Sequence, residues 1–228
     1  ANGVPEFVVF FASGLLAWNL FTAALSGATS SVVDNASIVK KVYFPREILP
    51  LASVGAAIVH YLLQVSVLVM MLVAFQHNID WSLIWLLPFA LVTLLVFVSA
   101  LGILFSAINV YSRDMKHLLE LILLAWFWLT PVVYPYKTFN TSGFFGVIAD
   151  CIRANPMAAI VTPFQKVIYV NERVRSTFKT HQMIQILPDQ PTVWYVRNLS
   201  LTMAFSIALF FFAMRVFDRA QGNFAEEL

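Results

Sequence analysis

The sequence predicts an all-α membrane protein, in which apolar helices form a bundle across the bilayer. Of its 228 residues, 60% are hydrophobic and only 11% are charged, whereas soluble domains average about 25% charged residues. The apolar residues fall into five long runs, and a helix that spans a membrane needs about 20 such residues. The net charge of +2 is too small to indicate a nucleic-acid partner.

We predict five spans within one transmembrane domain, residues 1–228. Small residues at Ala23-xxx-Gly27 and Gly102-xxx-Ser106 allow helices to pack closely, and we interpret them as structural. The five predicted spans cover approximately residues 7–33, 51–75, 83–110, 118–133 and 194–217.

The short connections between the spans indicate the orientation of the chain. Lys and Arg concentrate in the short loops on the cytoplasmic side of a membrane. Residues 34–50, 111–117 and the tail after Met214 are basic, whereas the turn 76–82 contains neither Lys nor Arg. We therefore place the three basic segments and the C-terminus in the cytoplasm, and the turn 76–82 outside.

Residues 134–193 form a long connection that this orientation places on the outer side. Asn155 followed by Pro156 is a good helix start, because Asn caps a helix and Pro suits its first turn. The apolar stretch that follows is too short to span the membrane and contains Pro163. We predict short re-entrant or interfacial helices here; an ordinary amphipathic loop helix is the alternative.

Signatures of catalysis are absent from the sequence. It has no GxxxxGK[ST] phosphate loop, no HExxH metal motif and no GxSxG elbow. The four histidines lie in separate segments, and the single cysteine, Cys151, excludes an intramolecular disulfide. The sequence therefore favours neither an enzyme nor a metal site in this chain.

Two groups of polar residues allow both a functional and a structural interpretation. His60 and Gln64 lie one helical turn apart in the second span, where they could face a pore or bond a neighbouring helix. Arg113 and Asp114 lie at an inner boundary, where they could contact a soluble partner or end two helices beside the lipid headgroups.

Aromatic residues follow one another from the fourth predicted span towards the outer surface. Flat aromatic faces stack on the C–H faces of sugars, so a path for a glycan is one interpretation. An interfacial belt in contact with lipid is the other. The residues concerned are Trp126, Trp128, Tyr134 and Tyr136.

Several motifs together resemble a known family. The longest is NASIVKKVYFPREILP, residues 35–50, followed by NVYSRD at 109–114, TPVVYP at 130–135, NPM at 155–157 and FAEEL at 224–228. In this order they are similar to the membrane (permease) subunits of polysaccharide ABC exporters of the O-antigen, teichoic-acid and galactan type. These subunits form part of the type-2 ABC transporter family.

The resemblance implies a homodimer of six-span subunits in a bacterial inner membrane, with a separate ABC ATPase that binds ATP and Mg. Members begin with an interface helix and a first span, so we expect one more N-terminal span than this sequence shows. Residues 34–50 would be the coupling loop on the ATPase, and residues 111–117 a secondary contact. The implied coupling residues are Lys40, Lys41, Tyr43, Phe44, Arg46, Glu47, Arg113 and Asp114.

The resemblance further implies that two copies form a channel for a lipid-linked polysaccharide. Short outer helices near residues 144–148 and 155–169 would shape its exit. An exporter of lipids or drugs and, in a different class, an integral membrane glycosyl- or acyltransferase are the alternatives. The candidate channel-lining residues are Trp126, Trp128, Tyr134, Tyr136, His60 and Gln64.

Overall fold

The computed structural model describes residues 7–42, 44–77, 79–134, 152, 154–169, 173–175, 183–185, 187–188 and 190–224. The predicted all-α class is confirmed. The helices are α1 (Phe7–Asp34), α2 (Ala36–Val39), α3 (Ile48–Ala74), α4 (Leu86–Tyr111), α5 (Met115–Leu129), α6 (Pro156–Tyr169) and α7 (Thr192–Ala220), with 3-10 turns at Trp81–Leu83 and Gln221–Asn223. Strands β1 (Arg173–Arg175) and β2 (Met183–Gln185) form one short antiparallel pair.

Four helices of the described chain are long and apolar enough to cross a membrane, namely α1, α3, α4 and α7. They correspond to four of the five predicted spans. In their most apolar segments, 61% of α1 and 56% of α4 is buried, against 22% of α3 and 17% of α7. Helices α3 and α7 therefore present broad apolar faces outside the fold, as expected where lipid or another chain covers them.

The remaining predicted span is represented by α5, which is shorter than the apolar run suggested. Its 15 residues extend about 22 Å, whereas the hydrocarbon core of a bilayer is about 30 Å thick. The helix ends at Leu129 because Pro131 has no backbone N–H and disfavours helical geometry in the residue before it.

Helix α6 begins as the sequence predicted. Asn155 accepts a hydrogen bond through Oδ1 from the backbone N–H of Met157, at 3.0 Å, and Pro156 occupies the first helical position. Eleven of its fourteen residues are buried. This is unlike an amphipathic loop helix, which keeps one polar face in water.

The chain divides into two compact units: Ala1–Trp18, Gln64–Val92 and Trp126–Thr202 form the first, and Asn19–Leu63, Thr93–Ala125 and Met203–Leu228 the second. A single transmembrane domain stays a prediction.

Aromatic contacts of Tyr169, the last residue of α6, contribute to the packing of the first unit. Tyr169 lies edge-on to Phe10, with ring centroids 5.4 Å apart, and stacks with His77 at 6.2 Å. The end of α3 is fixed nearby: Gln76 adopts a left-handed φ of 50°, and His77 N–H donates to the carbonyl of Leu72 at 3.0 Å. This is the pattern of a Schellman turn.

The second unit is organised around one apolar cluster. It contains the ends of α1, α4 and α7, together with side chains from the loop before α3 and from the tail after α7. We call it the inner cluster; its buried members are Val32, Val39, Ile103, Ala107, Val110, Ala213, Phe217 and Phe224.

Candidate functional site

The basic loop that precedes α3 is anchored by apolar side chains and exposes its lysines. Val39 is buried in the inner cluster, and Phe44 packs against the same cluster. Between these two anchors, Lys40, Lys41 and Val42 are exposed. The fold therefore holds the two ammonium groups outside the protein, in position to meet another molecule.

Arg46 has a different environment, because it contacts the tail that follows α7. Its Nη1 donates a hydrogen bond to the backbone carbonyl of Gln221, and its guanidinium carbon lies 6.0 Å from the centre of the Phe224 ring. Both contacts are within this chain, so Arg46 joins two segments that are 175 residues apart. A contact of Arg46 with a partner stays a prediction.

The remaining predicted coupling residues are distributed around this loop and the next one. Glu47 is half-buried, whereas Arg113 and Asp114 are exposed between α4 and α5. Tyr111, at the end of α4, donates through its hydroxyl to the carbonyl of Ala220 at 2.9 Å. Tyr43 lies outside the described residues.

The C-terminus of α5 is a second site at which polar side chains gather. The last four carbonyl groups of a helix have no partner within it, and in apolar surroundings each would be costly. Here all four accept a hydrogen bond. Trp126 and Phe127 bond to the hydroxyl (3.0 Å) and N–H (3.1 Å) of Thr130, Trp128 to the hydroxyl of Tyr134 (2.9 Å) and Leu129 to the amide of Asn155 (3.1 Å).

Asn155 is the centre of this polar network. Besides capping α6, its Oδ1 accepts from the indole N–H of Trp126 at 2.9 Å, and its Nδ2 donates to Thr130 Oγ1 at 3.0 Å. The sequence predicted the cap but missed the connection to α5. The TPVV motif at 130–133 and the NPM motif at 155–157 were the only signal, since each places a polar residue beside a proline in an apolar run.

A second side-chain amide satisfies a backbone carbonyl just after the end of α5. Gln165 in α6 donates to the carbonyl of Pro131 at 2.9 Å and is almost fully buried. It lies close to α1, where a Cβ added to Gly14 would come within 2.7 Å of its Nε2 atom. Because Gly14 has no side chain, the Gln165 amide has room to donate to the carbonyl of Pro131.

The candidate channel aromatics differ in how much they expose. Trp126 is half-buried and hydrogen-bonded, whereas the ring of Trp128 is 62% exposed. Burial raises the pKa of Tyr134 to about 12, so its hydroxyl stays protonated, and able to donate, even in moderately alkaline solution. Tyr136 lies outside the described residues, and a channel lined by these rings stays a prediction.

His60 and Gln64 share one side of α3, as their spacing predicted, but their surroundings differ. His60 is exposed and Gln64 half-buried. An imidazole in an apolar span requires water, or protein beyond the described chain, at its exposed edge. A pore-facing role stays a prediction. Within the described ranges, no group of three or more His, Cys, Asp or Glu could hold a metal ion.

Comparison with known proteins agrees with this architecture. Residues 2–169 match the family model of the ABC-2 type transporter. An O-antigen export system permease protein RfbA of Myxococcus xanthus is 27% identical over 227 residues, covering 100% of this chain and 78% of that protein.

Two proteins of the same description from Klebsiella pneumoniae are also similar. One is 28% identical over 99% of this chain and 77% of its own length. The other is 30% identical over 58% of this chain and 51% of its own length. With its long apolar helices and a match over most of its length, this chain belongs to the ABC-2 type transporter family of membrane proteins.

Proposed function

We propose that this chain is the transmembrane subunit of an ATP-driven exporter that moves a lipid-linked polysaccharide across the bacterial inner membrane. The observation that carries the proposal is similarity over 99–100% of the chain to two permeases described as O-antigen export proteins. The family assignment supports a transporter. The names of the relatives supply the class of substrate.

In this proposal a separate ATPase subunit binds and hydrolyses ATP with Mg, and docks on the basic loop. The exposed pair Lys40 and Lys41 supports this assignment, because the inner cluster holds them on a fixed base. A rigid base is needed if closure of the ATPase is to move helices rather than bend a loop.

A second copy of the chain forms the other half of the channel. The apolar faces of α3, α5 and α7 are extensively exposed, and this supports contact with lipid and with another transmembrane chain. A polymer exceeds any closed pocket that two such chains could enclose, so a continuous channel suits it better than alternating access around a small site.

The proposal is tested by the substrate that activates the purified complex. The full-length permease and its ATPase, reconstituted in lipid nanodiscs, should hydrolyse ATP faster when lipid-linked polysaccharide is added. Hydrophobic drugs and free phospholipids serve as controls. Stimulation by the drugs alone would contradict a polysaccharide substrate and favour the alternative exporter of small amphiphiles.

Deletion of the gene gives an independent test in cells. We expect lipid-linked polysaccharide to accumulate on the cytoplasmic side and to disappear from the surface, and a plasmid copy to restore it. Normal surface polysaccharide in the deletion strain would contradict the proposed function.

A further inference from the structure

A groove opens at the surface of the second unit, between α4 and α7. Near their C-terminal ends the two helices pack together, where Ala107 and Val110 of α4 and Ala213 and Phe217 of α7 belong to the inner cluster. Nearer to their N-termini they leave an open space of about 360 Å³. We call it the α4–α7 groove; its lining residues are Leu95, Val96, Ser99, Ile207, Phe210 and Phe211.

The lining of the α4–α7 groove selects an apolar and narrow occupant. Its side chains are hydrocarbon except for the small hydroxyl of Ser99, and Ile207 and Phe211 are 43% and 62% exposed. Leaving such a space empty would forfeit dispersion contacts along its walls. The lining covers only about one turn of each helix, which suits a single hydrocarbon chain better than a helix about 10–12 Å across.

Two arginines follow the groove along α7. Arg215 lies one helical turn beyond Phe211 on the same face, and Arg219 lies one turn further. Both are exposed. Asp218 is exposed beside them and accepts a hydrogen bond from Gln221 at 3.2 Å. Two cations and one anion leave this end of α7 with a net positive charge.

The spacing between Arg215 and the groove fits one lipid molecule. Phe211 and Ile207 lie about 6 and 12 Å from Arg215 along the helix axis, and half of the hydrocarbon core is about 15 Å thick. An acyl chain whose headgroup meets Arg215 therefore reaches the groove before the bilayer midplane. In the predicted orientation this end of α7 is cytoplasmic, where anionic lipids attract basic side chains.

The same charges disfavour a second copy of this chain as the occupant. Two copies usually pair about a two-fold axis, so that one surface patch meets itself. An interface through this face of α7 would bring Arg215 and Arg219 close to their counterparts, and such like-charge contacts are costly. Charge complementarity instead favours an acidic headgroup, since guanidinium groups bind phosphate well.

We propose that the α4–α7 groove binds an anionic phospholipid of the cytoplasmic leaflet. One acyl chain fills the groove against Ser99, Ile207 and Phe211, Arg215 donates hydrogen bonds to the phosphate, and Arg219 adds to the attraction. The bound lipid fills the space between α4 and α7. This inference goes beyond the proposed function, because the site does not depend on what the exporter carries.

The first test measures lipid binding to the full-length permease in detergent by native mass spectrometry. Phosphatidylglycerol is the anionic probe and phosphatidylcholine the zwitterionic one. We expect phosphatidylglycerol to bind at least about fivefold more tightly, and Arg215→Gln to remove about fivefold of its affinity. Arg197→Gln, which removes an exposed arginine near the start of α7, is the control and should leave the affinity unchanged. Equal affinity for the two lipids, or wild-type affinity in Arg215→Gln, overturns the proposal.

A pair of variants at one position tests the groove itself. Ser99→Leu places a larger side chain in the open space, and Ser99→Ala keeps the space open. We expect Ser99→Leu to weaken the binding of phosphatidylglycerol at least about fivefold, because several methylene groups lose their contact with the protein. Ser99→Ala should bind it like the wild type. Equal affinity of the two variants would show that the acyl chain does not occupy the groove.

Photolabelling of the unsubstituted protein in membranes locates the lipid directly. A phosphatidylglycerol with a diazirine in one acyl chain should label residues 95–99 and 207–211. An excess of unlabelled phosphatidylglycerol should prevent this labelling, whereas phosphatidylcholine should not. Absence of label from both segments would mean that a protein segment covers the groove, and would overturn the proposal. Competition by a polyprenyl phosphate but not by phosphatidylglycerol would also overturn it, because the occupant would then be a transport substrate.

Discussion

At the scale of single residues, Asn155 is the side chain that holds the polar network of the first unit together. It accepts from Trp126 and Met157 and donates to Leu129 and Thr130. All four bonds use both ends of one short amide. Aspartate has the same shape but lacks the donor, and alanine lacks both ends.

We expect Asn155→Ala to lower the free energy of unfolding by about 2–4 kcal/mol, because it removes a helix cap and leaves buried polar groups unpaired. The melting temperature in detergent should fall by about 5–15 °C. Gln190→Ala, which removes an exposed amide of the same unit, is the control and should change it little. Equal melting temperatures for both variants would show that the network does not stabilise the fold.

Trp128 provides a cleaner test of the proposed glycan path than Trp126. The Trp126 indole is tied to Asn155, so its removal would also affect stability. The Trp128 ring is 62% exposed, and we expect Trp128→Ala to lower export about 2–10-fold through lost stacking, with stability changed by less than about 0.5 kcal/mol.

Export of labelled lipid-linked polysaccharide into membrane vesicles measures this effect. Trp81→Ala is the matched control, since that ring is 71% exposed but lies in the 3-10 turn Trp81–Leu83 and is not one of the candidate channel-lining residues. Wild-type export by the Trp128 variant would leave its ring as an ordinary lipid contact.

At the scale of elements, helix positions were predictable because their causes are local. Apolar runs set α1, α3, α4 and α7, and the Asn155–Pro156 pair set the start of α6. The end of α5 was predicted four residues too late, because the apolar run continues through Val133 while Pro131 stops the helix.

Contacts between distant elements could not be predicted from the sequence in the same way. Arg46 and Gln221 are separated by most of the chain, and no sequence pattern in either segment predicts that the two segments are in contact. Both the bond of Arg46 to a carbonyl and the bonds of Asn155 to α5 form only when distant segments meet in the folded chain. The positive charge of Arg46 alone therefore could not show whether it binds within this chain or to a partner.

Close packing of α1 against α4 depends on Gly102, in the spacing that the sequence indicated as structural. A Cβ added there would lie 2.7 Å from the Cβ of Ala28. We expect Gly102→Ala to destabilise the protein by about 1–3 kcal/mol through overpacking. Gly55→Ala, where an added Cβ meets nothing within 4 Å, should be neutral or stabilising by up to about 1 kcal/mol. Thermal unfolding of the two variants in the same detergent gives the comparison, and destabilisation of both equally would contradict a local clash.

At the scale of the whole molecule, every functional assignment requires the basic loop and the turn between α3 and α4 to face opposite sides of the membrane. Helix α3 joins them, and its 27 residues extend about 40 Å, more than the hydrocarbon core of a bilayer. The charge pattern predicts that the loop lies in the cytoplasm. An ATPase can reach Lys40 and Lys41 only in that orientation.

Two serines allow this orientation to be measured with conservative changes. Ser37 in the loop and Ser82 in the turn are both exposed, and each can be replaced by cysteine in the Cys151→Ser background. With a membrane-impermeant maleimide, intact spheroplasts should label Ser82→Cys but not Ser37→Cys, and permeabilised spheroplasts should label both. Labelling of Ser37→Cys in intact spheroplasts would place the basic loop outside, where no ATP-binding subunit could contact it, and would remove the physical basis for coupling.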